Sequence, residues 1–199
     1  MNIGLKKTLY IIFILSSLSL CIEYIALVTK CPYGEFFYNN SLGGQIKNIL
    51  PWTTGFSYLP LLFGATSLSY FFSKRLFYRI IISALILLTF DLVLDPGAVA
   101  VSIWSYTTKG MYYSVPLSNF IGWILTAIFM STITIHILRR FPEEKLLNLT
   151  YSLCISISLW TWIDFLEKLW VPFFIGTFII MYLLVIYLKN EKLTSPFNT

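Results

Sequence analysis

Apolar runs of about twenty residues take up most of this chain and leave it little freedom in how to fold. They fall at 8–28, 55–72, 76–94, 116–138, 146–166 and 170–188, each near the ~20 residues a helix needs to cross ~30 Å of hydrocarbon. In lipid every backbone N–H and C=O must be satisfied within the protein, so such runs fold as helices. The expectation is an all-α, polytopic membrane bundle of about six transmembrane helices. Composition agrees: 57% of residues are hydrophobic and only 12% charged, against roughly 25% charged in a soluble domain. The connections are too short for a separate soluble unit, so 1–199 reads as a single integral membrane domain.

A net charge of +5 raises the question of a nucleic-acid partner, but the basic residues form no patch. Lys6, Lys7, Lys74, Arg75, Arg79, Arg139, Arg140, Lys145, Lys189 and Lys192 fall on one side of a six-span arrangement; Lys30, Lys47, Lys109 and Lys168 fall on the other. This asymmetry is the positive-inside pattern, which puts both termini in the cytoplasm and makes nucleic acid an unneeded partner. The first run is too long for a signal-peptide core and no small-residue cleavage site follows it, so it is expected to stay as an anchor. Cys21, Cys31 and Cys154 suggest neither a disulfide framework nor metal-ligand spacing.

Against this apolar background the polar residues carry the functional signal. Glu23, Asp91, Asp95, Asn119, Asp164 and Glu167 all fall toward the outer ends of their helices in the six-span arrangement. A charged side chain at mid-membrane costs about 2.5 kcal/mol or more, so such residues need partners or a function. The two longest connections, 29–54 and 96–115, lie on the same side and are dense in aromatics, with Tyr33, Phe36, Phe37, Tyr38 and Trp52 in one and Trp104, Tyr106, Tyr112 and Tyr113 in the other. A polar pocket roofed by aromatic loops follows, although Trp and Tyr also gather at membrane interfaces without further role.

Asp91 and Asp95, four residues apart, share a helix face. Two carboxylates in low dielectric do not both stay ionised, which leaves an acid beside a base. The competing structural reading is that Asp95 and Pro96 end the third helix, with Asp91 paired to a nearby donor. Glu23 has no basic residue within helical reach before Lys30, so it is either protonated or part of the pocket. Glu167 adjoins Lys168 at a helix end, where solvated ion pairs are common. His136, beside Arg139 and Arg140 at the opposite face, reads as interfacial. There is no phosphate-binding glycine loop, HExxH, Asp-rich magnesium motif or haem-type histidine pair. What remains is proton transfer by carboxylates on something lipophilic, with no metal.

Ordered motifs around these residues resemble a known family. They are Glu23, then Pro32-Tyr33-Gly34-Glu35-Phe36-Phe37-Tyr38 and Leu42-Gly43; the segment Phe90-Asp91-Leu92-Val93-Leu94-Asp95-Pro96; and the segment from Tyr112 through Val115-Pro116-Leu117-Ser118-Asn119-Phe120-Ile121-Gly122 to Trp123. They are similar to the carotenoid biosynthesis protein family that includes membrane carotenoid hydratases acting on γ-carotene and on the bisanhydro precursor of bacterioruberin. Lys30-Cys31 stands where that family usually has Thr-Gly, and Phe90 where a Trp commonly opens the Asp-Leu motif.

The resemblance implies a cofactor-independent enzyme of a prokaryotic cell membrane that adds water to the terminal C=C bond of an acyclic carotenoid. Its partners would be the lipophilic carotenoid, membrane lipid and other enzymes of carotenoid synthesis. Asp91 is the leading acid candidate, with Asp95 and Glu23 as partner or base. Asn119, Ser118, Tyr33, Trp104, Tyr112, Tyr113 and Trp123 would bind substrate. Two alternatives stand beside this reading. A carotenoid cyclase would start with the same protonation, and Phe141-Pro142-Glu143-Glu144 resembles the Pro-Glu-Glu element of small membrane lycopene cyclases. A carotenoid or lipid carrier would need no acid at all; six helices allow inverted repeats, but the halves do not match.

Overall fold

The computed structural model describes residues 4–39, 43–141 and 146–194. Leu42 of the Leu42-Gly43 pair, Lys145 of the basic set, and Pro142, Glu143 and Glu144 of the cyclase-like element lie outside them. Six long helices make up most of the described chain: α1 (Leu5–Thr29), α2 (Thr54–Phe72), α3 (Leu76–Ala100), α4 (Leu117–Leu138), α5 (Thr150–Leu166) and α6 (Trp170–Thr194). Each overlies one of the six apolar runs.

Four of these helices are long and apolar enough to cross a membrane, over Leu5–Thr29, Leu76–Ala100, Leu117–Leu138 and Trp170–Leu188. This is the pattern of a membrane protein. The sequence expects six spans, and α2 and α5 fall short of the same measure for physical reasons. Helix α5 has 17 residues. Helix α2 carries Thr, Ser, Gly and Pro along its length and packs against α1, α3, α4 and α5, so its surroundings are protein, which tolerates such residues. Helices α1 and α6 do the opposite, exposing large apolar side chains such as Leu9, Phe13, Phe174 and Phe178, as a lipid-facing surface does.

The fold is mostly helical, as expected, with two short strand pairs added in the loops. Strand β1 (Phe36–Tyr38) pairs antiparallel with β4 (Trp104–Tyr106), and β2 (Gln45–Ile46) with β3 (Leu50–Pro51). The connections after α1 and α3 still have backbone groups to satisfy, and their aromatic runs suit a half-buried strand. The register Phe36↔Tyr106, Phe37↔Ser105, Tyr38↔Trp104 puts Phe36, Tyr38, Trp104 and Tyr106 on one face, by the two-residue alternation of strands. Phe36 and Tyr106 are buried, while Phe37, on the other face, is 55% exposed. The two loops thus close one end of the bundle as a single aromatic sheet.

Pro96 does not end α3, which runs on to Ala100. Proline has no N–H to bond the carbonyl four residues back. The Tyr112 hydroxyl donates to that carbonyl, the Leu92 oxygen, at 2.8 Å, and so replaces the lost bond. The loop expected over 96–115 therefore begins only after Ala100, and Asp91 and Asp95 sit one turn apart in continuous helix. The turn after α1 closes onto α4 at Gly122, where a Cβ would run into the Tyr33 ring.

Candidate functional site

A cavity of about 210 Å³ lies inside the end of the bundle that carries the aromatic sheet. Its walls include Glu23 from α1, Tyr58 from α2, Asp95 from α3, Asn119, Trp123 and Thr126 from α4, and Trp160 from α5. Tyr33 and the inward face of the β1–β4 pair complete them. At this size it holds only a handful of non-hydrogen atoms, well short of the 300–1,000 Å³ typical of sites for whole small molecules.

Two acids face this space, each held by a phenol. Tyr38 donates to Glu23 Oε1 at 2.6 Å, and Tyr106 donates to Asp95 Oδ2 at 2.8 Å. Burial first, then the charge on Glu23, pushes the Tyr38 phenol well up from its ordinary value. Burial first, then the charge on Asp95, does the same for Tyr106. Both rings therefore keep their protons and remain donors. Glu23 and Asp95 lie within electrostatic reach of each other.

Asn119 ties Asp95 to Asp91. Its Nδ2 donates to Asp91 Oδ2 at 3.1 Å and also to Asp95 Oδ2. All three side chains are at most 2% exposed. The one-turn spacing on α3 presents both carboxyls to a single amide in the first turn of α4. Asp91, the leading acid candidate in the sequence, does not line the cavity; it sits behind Asp95 and Asn119, and its Oδ1 has no hydrogen-bond partner among the described residues.

The aromatic wall is continuous. Ring centroids run from Trp104 to Tyr38 (5.9 Å), Tyr38 to Phe36 (5.7 Å), Phe36 to Tyr33 (6.1 Å), Tyr33 to Trp123 (6.2 Å) and Trp123 to Tyr58 (5.3 Å). Such faces attract positive charge. The Tyr33 hydroxyl pairs with that of Thr126 at 2.6 Å.

Other sequence candidates lie elsewhere. Ser118, Tyr112 and Tyr113 do not line the cavity. Ser118 Oγ donates to the Tyr33 carbonyl at 3.0 Å, Tyr112 holds Leu92, and the Tyr113 hydroxyl accepts from the Val171 N–H at 3.3 Å. These three residues brace the loops. Asp164 is fully buried away from the cavity, and His136 contacts Arg139 at 3.2 Å at the far end of α4. Among the described residues, no three His, Cys, Asp or Glu side chains gather to hold a metal ion. Tyr38 and Tyr106 count in the sequence only as loop aromatics; their tie to the acids follows from strand pairing. Tyr58, Thr126 and Trp160 give no signal, since one polar or aromatic residue in an apolar run looks like any other.

The profile of the carotenoid biosynthesis protein family matches residues 1–183, which spans both the acids and the aromatic sheet. The chain belongs to that family. Over 160 residues this carotenoid biosynthesis protein is 29% identical to the bisanhydrobacterioruberin hydratase of Haloarcula japonica, covering 76% of the chain and 54% of the relative. It therefore spans about half the length of the curated relative it matches. No solved structure matches it significantly.

Proposed function

We infer that this carotenoid biosynthesis protein is a carotenoid hydratase, adding water across the terminal C=C bond of an acyclic carotenoid end group. The observation that carries the reading is the convergence of Glu23 and Asp95, each held by a phenol donor, on one small aromatic-walled cavity. The relative's name, a hydratase, supports the same chemistry.

In this reading Asp95 is the acid. Its described hydrogen bonds fall on Oδ2, which leaves Oδ1 to carry the proton. That proton forms a C–H bond at the less substituted alkene carbon as the π bond breaks, and the positive charge goes to the tertiary carbon. Water then bonds to that carbon, Glu23 takes the proton the water releases, and a tertiary alcohol remains. Transfer from Glu23 back to Asp95 through water restores the starting state. Asp91 and Asn119 hold Asp95 in position, and the aromatic rings stabilise the cation. Positioned proton transfer of this kind contributes about 10²- to 10⁴-fold.

The wider frame is a single membrane domain of six spans in a prokaryotic cell membrane. Both termini face the cytoplasm, the aromatic sheet lies outside, and the polyene rests in the bilayer. The charge asymmetry of the Lys and Arg residues supports that orientation. An impermeant thiol reagent should reach a cysteine placed at Asn39 in intact cells, and not one at Asn198; the reverse would overturn it.

The test of function is to express the chain in cells that make lycopene and to weigh the pigments. A gain of one water supports the hydratase, an isomer of unchanged mass means a cyclase, and unaltered lycopene favours a carrier.

A further inference from the structure

The cavity wall contains more hydrogen-bonding groups than the two acids need, and most are already engaged. The Thr54 hydroxyl donates to the Pro51 carbonyl, Ser57 to the Thr54 carbonyl and Ser156 to the Ser152 carbonyl, and Thr126 pairs with Tyr33. Two groups on the same wall differ. Among the described residues, the buried Tyr58 hydroxyl has no hydrogen-bond partner and the buried Trp104 indole N–H, though it points toward Asp95, makes no hydrogen bond of good geometry, and both residues line the cavity. Tyr58 is 7% exposed, with its ring fixed against Trp123. Trp104 is fixed by Tyr38 across the strand pair.

A buried donor left unpaired is costly, and one that lines a cavity can recover the lost bond from a water or ligand held there. Each group also lies close to the acids: Tyr58 within electrostatic reach of Asp91, and the Trp104 indole N–H directed at the Asp95 carboxyl. A buried water makes about three hydrogen bonds. An indole N–H, a phenol that can donate or accept, and a carboxylate together supply them.

Resting on the hydratase reading, we propose that Tyr58 and Trp104 hold the water that captures the carbocation, and so determine that the cation is hydrated. Without that water the cation can collapse back to the alkene. A neighbouring carbon gives a proton back to a carboxylate, the C=C bond re-forms, and the mass is unchanged.

Deuterated water reads both exits at once. Each protonation delivers a deuteron, so a cation that collapses back leaves deuterium in the recovered substrate, while a captured one appears as alcohol. In Tyr58→Phe the ratio of alcohol to deuterium-exchanged substrate should fall roughly tenfold, the equivalent of one hydrogen bond, with Trp104→Phe shifting it in the same direction. Phe keeps the ring on Trp123 and removes a hydroxyl that bonds no described protein atom, so the unfolding temperature of Tyr58→Phe should hold or rise. An unchanged ratio in both variants, or a lowered unfolding temperature in Tyr58→Phe with alcohol and exchange falling together, would overturn the assignment while leaving the hydratase intact. A wild-type protein that forms no alcohol would overturn the hydratase reading and this assignment with it.

Discussion

Asp95 and Asp164 are equally buried, at 1% and 0% exposure, yet their surroundings have little in common. Asp95 accepts from Tyr106 and Asn119 and borders a cavity. Both carboxyl oxygens of Asp164 lack hydrogen-bond partners among the described residues, and Asp164 packs where a Cβ on Gly97 would touch it. Burial alone therefore does not mark a site. The donors that orient a carboxyl, and a space for it to act on, separate the two.

The sharpest way to break this comparison is at Asp95 itself. Asp95→Asn keeps the shape and removes the proton, and is expected to lower hydration by about 10²- to 10⁴-fold in a protein that still inserts and folds; pigment yield per unit of folded protein checks it. Asn119→Ala should come next, because one amide serves two buried carboxyls. A hydrogen bond to a charged group contributes about 1.5–3 kcal/mol, so both activity and the unfolding temperature should fall. Tyr106→Phe leaves Asp95 its Asn119 bond and should cost about 1 kcal/mol, roughly a fivefold loss in turnover. Tyr112→Phe should shift the balance toward structure. Losing the bond to Leu92 should destabilise by about 1 kcal/mol while turnover holds, which thermal unfolding and pigment assays together would show.

The smallest effect is expected at Asp164. Asp164→Leu removes a buried polar group that no described donor satisfies, so activity should be unchanged and stability equal or higher. A large loss of hydration there would mean that Asp164 belongs to the chemistry after all.

The sequence made the helices legible because hydropathy runs are set locally, and each run became a helix. Four of the six helices are apolar and long enough to span on their own composition, whereas α2 meets protein on most sides and carries Thr, Ser and Pro60. The sequence ended α3 at Pro96, a local rule that one distant hydroxyl, that of Tyr112, overrides. Glu23, Asp95, Asn119, Tyr33, Trp104 and Trp123 were readable as a set from their depth and motifs, and they line one cavity. Which of Asp91 and Asp95 borders the cavity was not readable, because two residues on one helix face look alike until α4 packs against them. Tyr58 was hidden for the same reason: only packing decides which ring in an apolar helix faces a cavity.

The central claim is that the cavity bordered by Asp95 and Glu23 adds water to a carotenoid end. Its most direct test is to grow lycopene-producing cells with the wild-type chain or Asp95→Asn in water enriched in heavy oxygen, and to weigh the pigment. The wild type should yield an alcohol heavier by one water and carrying the heavy oxygen, and Asp95→Asn should yield almost none. An alcohol without the label, or equal labelled alcohol from both proteins, would contradict the account.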